Sequence, residues 1–214
     1  MIDFRAEKGG KRAMLSYNET MFKRAKTTGK GTVPNHLKDR FRYLDGLTPA
    51  SDLGPWRKFA TIAIGGLQHI GFASNSDLLL AVSGARGRGV VDCATGGKVA
   101  RDDEEYYPDF GSLEAEGIGS LEGQQIRVAG ISGGGLSHAT EDGWLIELHP
   151  LSWPEEEFFL CPPGQTMLWS PPAAKPELFK LRPLPSSLVA YGFSPTGRSL
   201  IIATSSDLEI YSRA

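Results

Sequence analysis

Cysteine is nearly absent from this sequence. Cys93 and Cys161 are the only two, so no disulfide framework can be read, and two buried, reduced thiols in a cytosolic protein are expected. Long hydrophobic runs are missing as well. The longest aliphatic run is Leu78–Val82, far below the roughly 20 residues that a bilayer span needs. The first twenty residues hold no apolar stretch of the signal-peptide kind. These absences predict a cytoplasmic protein with no membrane segment. His36, His69, His138 and His149 never stand at i, i+4 from one another, and no CxxC accompanies them. A transition-metal site is therefore not expected. The acidic runs lack the turning glycine and interspersed ligands of a calcium loop. No metal and no cofactor are implied.

What the chain does have is ordinary globular composition, with 40% hydrophobic and 22% charged residues over 214 positions. That length can bury a core without covalent help. The net charge of −2 hides an asymmetry. Residues 1–42 carry 11 Lys/Arg against 4 Asp/Glu, hence +7, and residues 43–214 carry 12 against 21, hence −9. Such a division is compatible with a charged partner or with a solvated basic arm beside an acidic surface.

The local pattern divides the chain near residue 58. Residues 1–58 read as a basic N-terminal extension with a short helix. Met14, Leu15, Met21, Phe22 and Ala25 suggest one weak helical face. Asn35 is placed to cap a second helix carrying Leu37, Phe41 and Leu44, which Gly46 would end in a left-handed cap. Thr48 to Trp56, with two prolines and a glycine, reads as a linker. Residues 59–214 change grammar: short β-branched and aliphatic runs alternate with Gly, Asn, Ser and Asp clusters, as expected for strands joined by tight turns. The prolines of 171–187 exclude a regular central strand and predict a loop or covering segment.

The β region repeats itself. A shift of 121 residues lays Gly71-Phe72 on Gly192-Phe193 and Leu79-Leu80-Ala81-Val82 on Leu200-Ile201-Ile202-Ala203. A third copy begins near Ile118: Gly123 matches Gly197, Ile126 matches Leu200, and Val128-Ala129 matches Ile202-Ala203. The run from Gly192-Phe193-Ser194-Pro195-Thr196-Gly197 to Tyr211 resembles a blade of a WD40-type β-propeller, without the Trp-Asp pair that names the family. Val90-Val91-Asp92 through Thr95-Gly96-Gly97 resembles the third strand and the Asp-x-x-Thr-Gly turn of such a blade. The resemblance covers 66–100, 118–160 and 187–214. It implies a mainly β fold, a partial or irregular propeller-like stack of antiparallel blades, because so few blades do not make an ordinary ring. The first 60 residues are expected to cover an open edge or to supply missing strands.

Apparent active-site motifs fail on context. Gly130-Ile131-Ser132-Gly133-Gly134 matches the G-x-S-x-G nucleophile elbow, which needs a strand before the serine and a helix after it. The next residues, Gly135-Leu136-Ser137-His138, have no helical period, and the acid and base would be crowded into Asp142 and His149. Gly84-Ala85-Arg86-Gly87-Arg88-Gly89 lies between strands and reads as a hairpin turn whose arginines can touch a partner. Thr28-Gly29-Lys30-Gly31-Thr32 fails the P-loop pattern, because Arg24 stands where its first glycine belongs. No catalytic residue is assigned. Partner contact is expected from Arg86 and Arg88 and from the acidic runs Asp102-Asp103-Glu104-Glu105 and Glu155-Glu156-Glu157. The acidic balance of residues 43–214 argues against direct nucleic-acid binding as the main role. The expected function is a non-enzymatic protein-binding module. In general style the chain looks like a bacterial immunity protein that neutralises a cognate, basic toxin domain. The alternatives are a serine hydrolase using Ser132 and a nucleic-acid-associated or structural assembly subunit.

Overall fold

The computed structural model describes residues 34–152, 155–170, 177–184 and 186–213, without the side chains of 150–156. The expected helix around Met14–Ala25 and the stretch Thr28–Thr32 lie outside the described residues. The chain divides into two compact units, Met1–Asp39 and Arg40–Ala214, and every described strand belongs to the second. A 3-10 turn over Asn35–Leu37 leads into helix α1 (Lys38–Asp45). Its ends differ from expectation. Pro34 holds the cap position and no side chain caps it. The Gly46 N–H donates to the Arg42 carbonyl at 3.1 Å without adopting a left-handed backbone.

Among the described residues the helix is succeeded by fourteen short strands: β1 (Arg57–Ala63), β2 (His69–Phe72), β3 (Leu78–Val82), β4 (Arg88–Asp92), β5 (Gly97–Asp102), β6 (Glu114–Glu116), β7 (Gln125–Arg127), β8 (Ala129–Gly130), β9 (Leu145–Ser152), β10 (Glu155–Cys161), β11 (Phe179–Lys180), β12 (Leu188–Phe193), β13 (Ser199–Thr204) and β14 (Asp207–Ser212). The protein is mainly β, and its sheets are antiparallel. Their orders are β1-β14-β13-β12, β5-β4-β3-β2-β8, β11-β10-β9 and β6-β7.

The 121-residue repeat is visible in the hydrogen-bond register. Phe72 pairs with Leu79 and Gly71 with Leu80; Phe193 pairs with Leu200 and Gly192 with Ile201. The turns match too, with Ala73 N–H to Leu78 O at 3.0 Å and Ser194 N–H to Ser199 O at 2.8 Å. The fourth strands have different origins. β5 comes directly after β4, whereas the C-terminal sheet takes β1, from the N-terminal side of the chain, as its outer strand against β14. The stretch 118–160 is not a third sheet of this kind. Ile126 lies in β7 and pairs with β6, Ala129 lies in β8 and pairs with β2, and Leu145–Cys161 folds into a separate hairpin. Its first half lacks a run long enough to form two strands of one sheet: β8 is two residues long and ends in the turn at Gly130.

Alternation along β13 sets the stacking. All six of its residues are buried. Ile201 and Ala203 pack with Leu79, Ala81 and Val91 of the β2–β5 sheet. Leu200 and Ile202, on the opposite face, pack with Ile146, Phe158 and Leu160 of the β9–β11 sheet. The flanking sheets are covered in turn: Leu80 and Val82 by Ala115 and Ile126 of the β6-β7 hairpin, and Phe159 and Cys161 by Leu44, Met167 and Leu178. Each fully buried aliphatic contributes roughly 1.5–3 kcal/mol. The sequence pattern places residues up to 58 in an extension, with Thr48 to Trp56 as a linker. Leu44, Leu53 and Trp56 are core residues instead. Trp56 fills the gap beside Phe193, with ring centroids 5.2 Å apart. Single apolar residues separated by Gly54 and Pro55 carry no periodicity, so their burial leaves no pattern. The proline-rich stretch also contributes to a sheet, through β11, which pairs Phe179 and Lys180 with β10.

The inner strands of both repeats are overlain by the segment 127–137, and both carry glycine where it passes. A Cβ on Gly71 would lie 2.3 Å from the Arg127 carbonyl oxygen, and one on Gly192 would lie 2.5 Å from the Leu136 Cβ. Gly71→Ala and Gly192→Ala are each expected to lower stability by about 1–3 kcal/mol through overpacking. Gly135→Ala, with nothing within 4 Å of the added methyl, should change it by no more than about 0.5 kcal/mol. Urea denaturation midpoints of the three variants test this.

Candidate functional site

The two arginines of the β3–β4 connection have different roles. Arg88 opens β4, where its alternation turns it toward the β6-β7 hairpin. Its guanidinium stacks 3.8 Å from the Tyr106 ring centroid, donates to the Glu116 carbonyl at 2.8 Å, and pairs with Asp102 at 3.2 Å. The Glu116 N–H donates to the Tyr106 hydroxyl at 2.7 Å, which closes the network. Arg88 is thus a strut between β4, β5 and β6. Asp102 also accepts the Glu104 N–H at 3.0 Å. That bond first, and Arg88 next, hold its carboxyl below the usual carboxylate range. Arg86, in the 3-10 turn Gly84–Arg86, is exposed. Asp103, Glu104 and Glu105 are exposed beyond the end of β5.

Aromatic side chains stand beside this acidic run. Tyr107 and Phe110 are both exposed, 45% and 58%, and their ring centroids are 6.4 Å apart. The Tyr107 hydroxyl donates to Glu105 at 3.0 Å, and that bond raises the phenol's pKa. Asp109 accepts backbone N–H groups from Gly111 and Ser112, both at 2.8 Å, so the loop turns with Phe110 at its tip. The sequence marks the carboxylates of this loop and gives no sign of its two rings. Two aromatics without periodicity carry no signal of exposure.

Phe110 also lies 6.3 Å from the ring of His69, and His69 reaches Ser132. The Ser132 Oγ is 3.0 Å from His69 Nε2. The geometry comes from β8 pairing with β2, which sets His69 opposite Gly130, and from a tight turn in which Gly130 and Gly133 exchange backbone hydrogen bonds at 2.9 and 3.0 Å. Nothing in the sequence joins His69 to this serine, because the partners are 63 residues apart. The residues expected as acid and base are engaged elsewhere. Asp142 forms a two-pronged pair with Arg213 at 2.6 and 2.7 Å, and the His149 ring meets Phe41 edge-on at 5.4 Å. Among the described residues no helix succeeds Ser132, so the elbow geometry is not formed. His69 is 1% exposed and its Nδ1 has no partner among the described residues; no carboxylate there fixes its tautomer as a triad would.

The second acidic run is not a loop. Glu155, Glu156 and Glu157 lie in β10, and Glu157 pairs with Lys180 of β11 at 2.7 Å. Cys93 and Cys161 are buried and free; burial pushes both thiols far above their ordinary pKa. Among the described residues no cluster of three His, Cys, Asp or Glu could hold a metal ion, and no helix is long and apolar enough to cross a membrane. No family model, curated protein or solved structure gives a significant match to this chain.

These contacts can be tested by substitution and by pH. Arg88→Met should cost about 1–2 kcal/mol, the loss of a ring contact and a carbonyl hydrogen bond, whereas Glu104→Gln should be near neutral, as read by urea unfolding. Burial also lowers the pKa of His69. The unfolded chain therefore takes up this proton near pH 6.5 and the folded one only below that. Stability should fall as pH drops from about 6.5 toward the folded pKa, and His69→Gln should flatten the decline. His138, also lowered by burial, accounts for the part that persists.

Proposed function

We propose that this chain is a non-enzymatic protein-binding module of propeller-like, WD40-type blades. Its binding face is made of the exposed side chains of the loop 103–110, and its partner is a basic protein. The observation that carries this reading is the pairing of charge with rings: Asp103, Glu104 and Glu105 are exposed beside exposed Tyr107 and Phe110. Aromatic anchors supply most of the affinity in protein interfaces, while surrounding charge of one sign steers and selects the partner. Ile131, on the turn that carries Ser132, is a further exposed apolar side chain at 66%. The most specific form of this reading is a cytoplasmic bacterial immunity protein that captures a basic toxin domain.

The test is co-expression with the product of the adjacent gene and measurement of Kd by calorimetry. A stable complex is expected. Phe110→Ala should weaken it by about thirtyfold, as loss of a hot spot worth roughly 2 kcal/mol would. Glu104→Lys should slow association and reduce its salt dependence. An adjacent product that forms no complex, or a complex indifferent to both changes, overturns the reading.

One observation favours a second reading. The 3.0 Å contact between Ser132 and His69 is the nucleophile–base distance of a serine hydrolase. A fluorophosphonate probe should then label the protein, and Ser132→Ala should abolish the label. Absence of labelling removes this reading.

A further inference from the structure

A cleft of about 400 Å³ lies between the end of β1 and the outer strands of the β2–β5 sheet. Its floor is apolar, formed by residues such as Ile64, Ala81 and Val91, and its walls carry Arg86, Lys98 and Arg101 with no carboxylate among the lining residues. The volume is that of a small-molecule site. The three cations differ in how far they are occupied. Arg101 pairs with Asp103 at 2.6 Å and donates to the Arg86 carbonyl. Lys98 gives one hydrogen bond, to the Ala63 carbonyl at 2.8 Å, and so keeps two donors. The Arg86 guanidinium lies over Gly65, close enough that a Cβ there would come within 2.7 Å of it. It has no hydrogen bond or ion pair among the described residues.

A second feature is independent of the charges. Ser83 lines the same cleft, continuing the row of Leu79 and Ala81 that faces the β1 side of the sheet. Ser83 is 4% exposed, and its Oγ has no hydrogen-bond partner among the described residues. Buried hydroxyls are ordinarily satisfied. A buried donor without an acceptor, next to a free guanidinium and a partly free ammonium, is the donor set for an oxyanion.

We propose that this cleft binds a small organic phosphate, with the phosphate held by Arg86, Lys98 and Ser83 and its apolar part on the floor of Ile64, Ala81 and Val91. Arg86 supplies the planar two-pronged contact, Lys98 the point charge, and the Ser83 hydroxyl a neutral donor. The floor distinguishes a phosphate carrying a flat apolar group from inorganic phosphate.

The test is calorimetric titration of the full chain with AMP, adenosine and inorganic phosphate. AMP should bind saturably and more tightly than inorganic phosphate, and adenosine should not bind. Arg86→Ala and Lys98→Gln should each weaken AMP by about tenfold, the loss of one charge-assisted contact. Both side chains are on the surface, and unchanged urea midpoints would confirm that these variants fold. Arg198→Ala, an exposed arginine outside the cleft, should leave AMP binding unchanged. Adenosine binding as tightly as AMP, equal affinity in Arg86→Ala and wild type, or uptake of a glutamate-rich peptide without uptake of AMP would overturn the proposal.

Discussion

Strand β13 is buried at every position from Ser199 to Thr204, and a strand apolar on both faces cannot end a stack. Ile201 and Ala203 need one covering sheet, and Leu200 and Ile202 need another. The same demand passes outward. The β2–β5 sheet is apolar on its far face and takes the β6-β7 hairpin as a cover; the β9–β11 sheet takes Leu44 of α1 with Met167 and Leu178. The order of layers comes from where the two-faced strands lie in the sequence. Each cover is smaller and more irregular than the sheet beneath it, which is how an open stack ends without a bare apolar face.

Sheet edges obey a parallel constraint. An unpaired edge is a template for association, and the chain extends the two repeated sheets with strands from elsewhere in its own sequence, leaving β1 and β5 as the outer strands. At the outer side of the C-terminal sheet, β1 pairs with β14 over Arg57–Ala63. At the inner side, β8 pairs with β2, and Ser137 bridges Phe193 of β12. One connecting segment therefore serves both inner strands. Gly71 and Gly192 stand at repeat-equivalent positions because the backbone passes close above each. The tight turn that presents Ser132 to His69 is part of the same segment. The edge pairing by itself brings Gly130 opposite His69 and so sets Ser132 near the ring.

The repeat is legible in the sequence because register and turn chemistry are local. Gly-Phe, a four-residue aliphatic run and the intervening turn recur at fixed spacing, and the pairings Phe72–Leu79 and Phe193–Leu200 come from it. The sequence leads one to expect the first 60 residues to cover an open edge or to supply strands; the strand that joins β14 is β1, which runs from Arg57 to Ala63 across the boundary between the two patterns. The burial of Trp56, the reach of His69 to Ser132 and the exposure of Phe110 depend on contacts between distant segments. Ile126 and Val128-Ala129 match the repeat by residue type, yet they enter two different sheets, because identity at single positions does not fix a pairing partner. Charge reads evenly in the sequence where the fold divides it: Arg86 and Arg88 are two residues apart, and only Arg88 finds Asp102 and Tyr106.

That division of charge originates in the stack itself. Sheets twist, so two sheets held close at their inner strands diverge toward their outer ones. At the inner side glycine allows near contact. At the outer side Gly89, without a side chain, leaves space between β4, β5 and the end of β1. An apolar gap at the edge of a core is ordinarily filled by larger side chains, because protein interiors are densely packed. Here it is left lined by small residues and rimmed by Arg86, Lys98 and Arg101. Like charges around one opening repel unless a counter-charge is present, and the nearby acidic run answers only one of the three, through Asp103 and Arg101. The remaining cations point to an anion from solution, in a cleft that adjoins the acidic loop, since Tyr107 packs on Gly84 of the turn that carries Arg86. The scaffold thereby gives two surfaces of opposite sign, an acidic and aromatic one suited to a protein and a basic, concave one suited to a small phosphate.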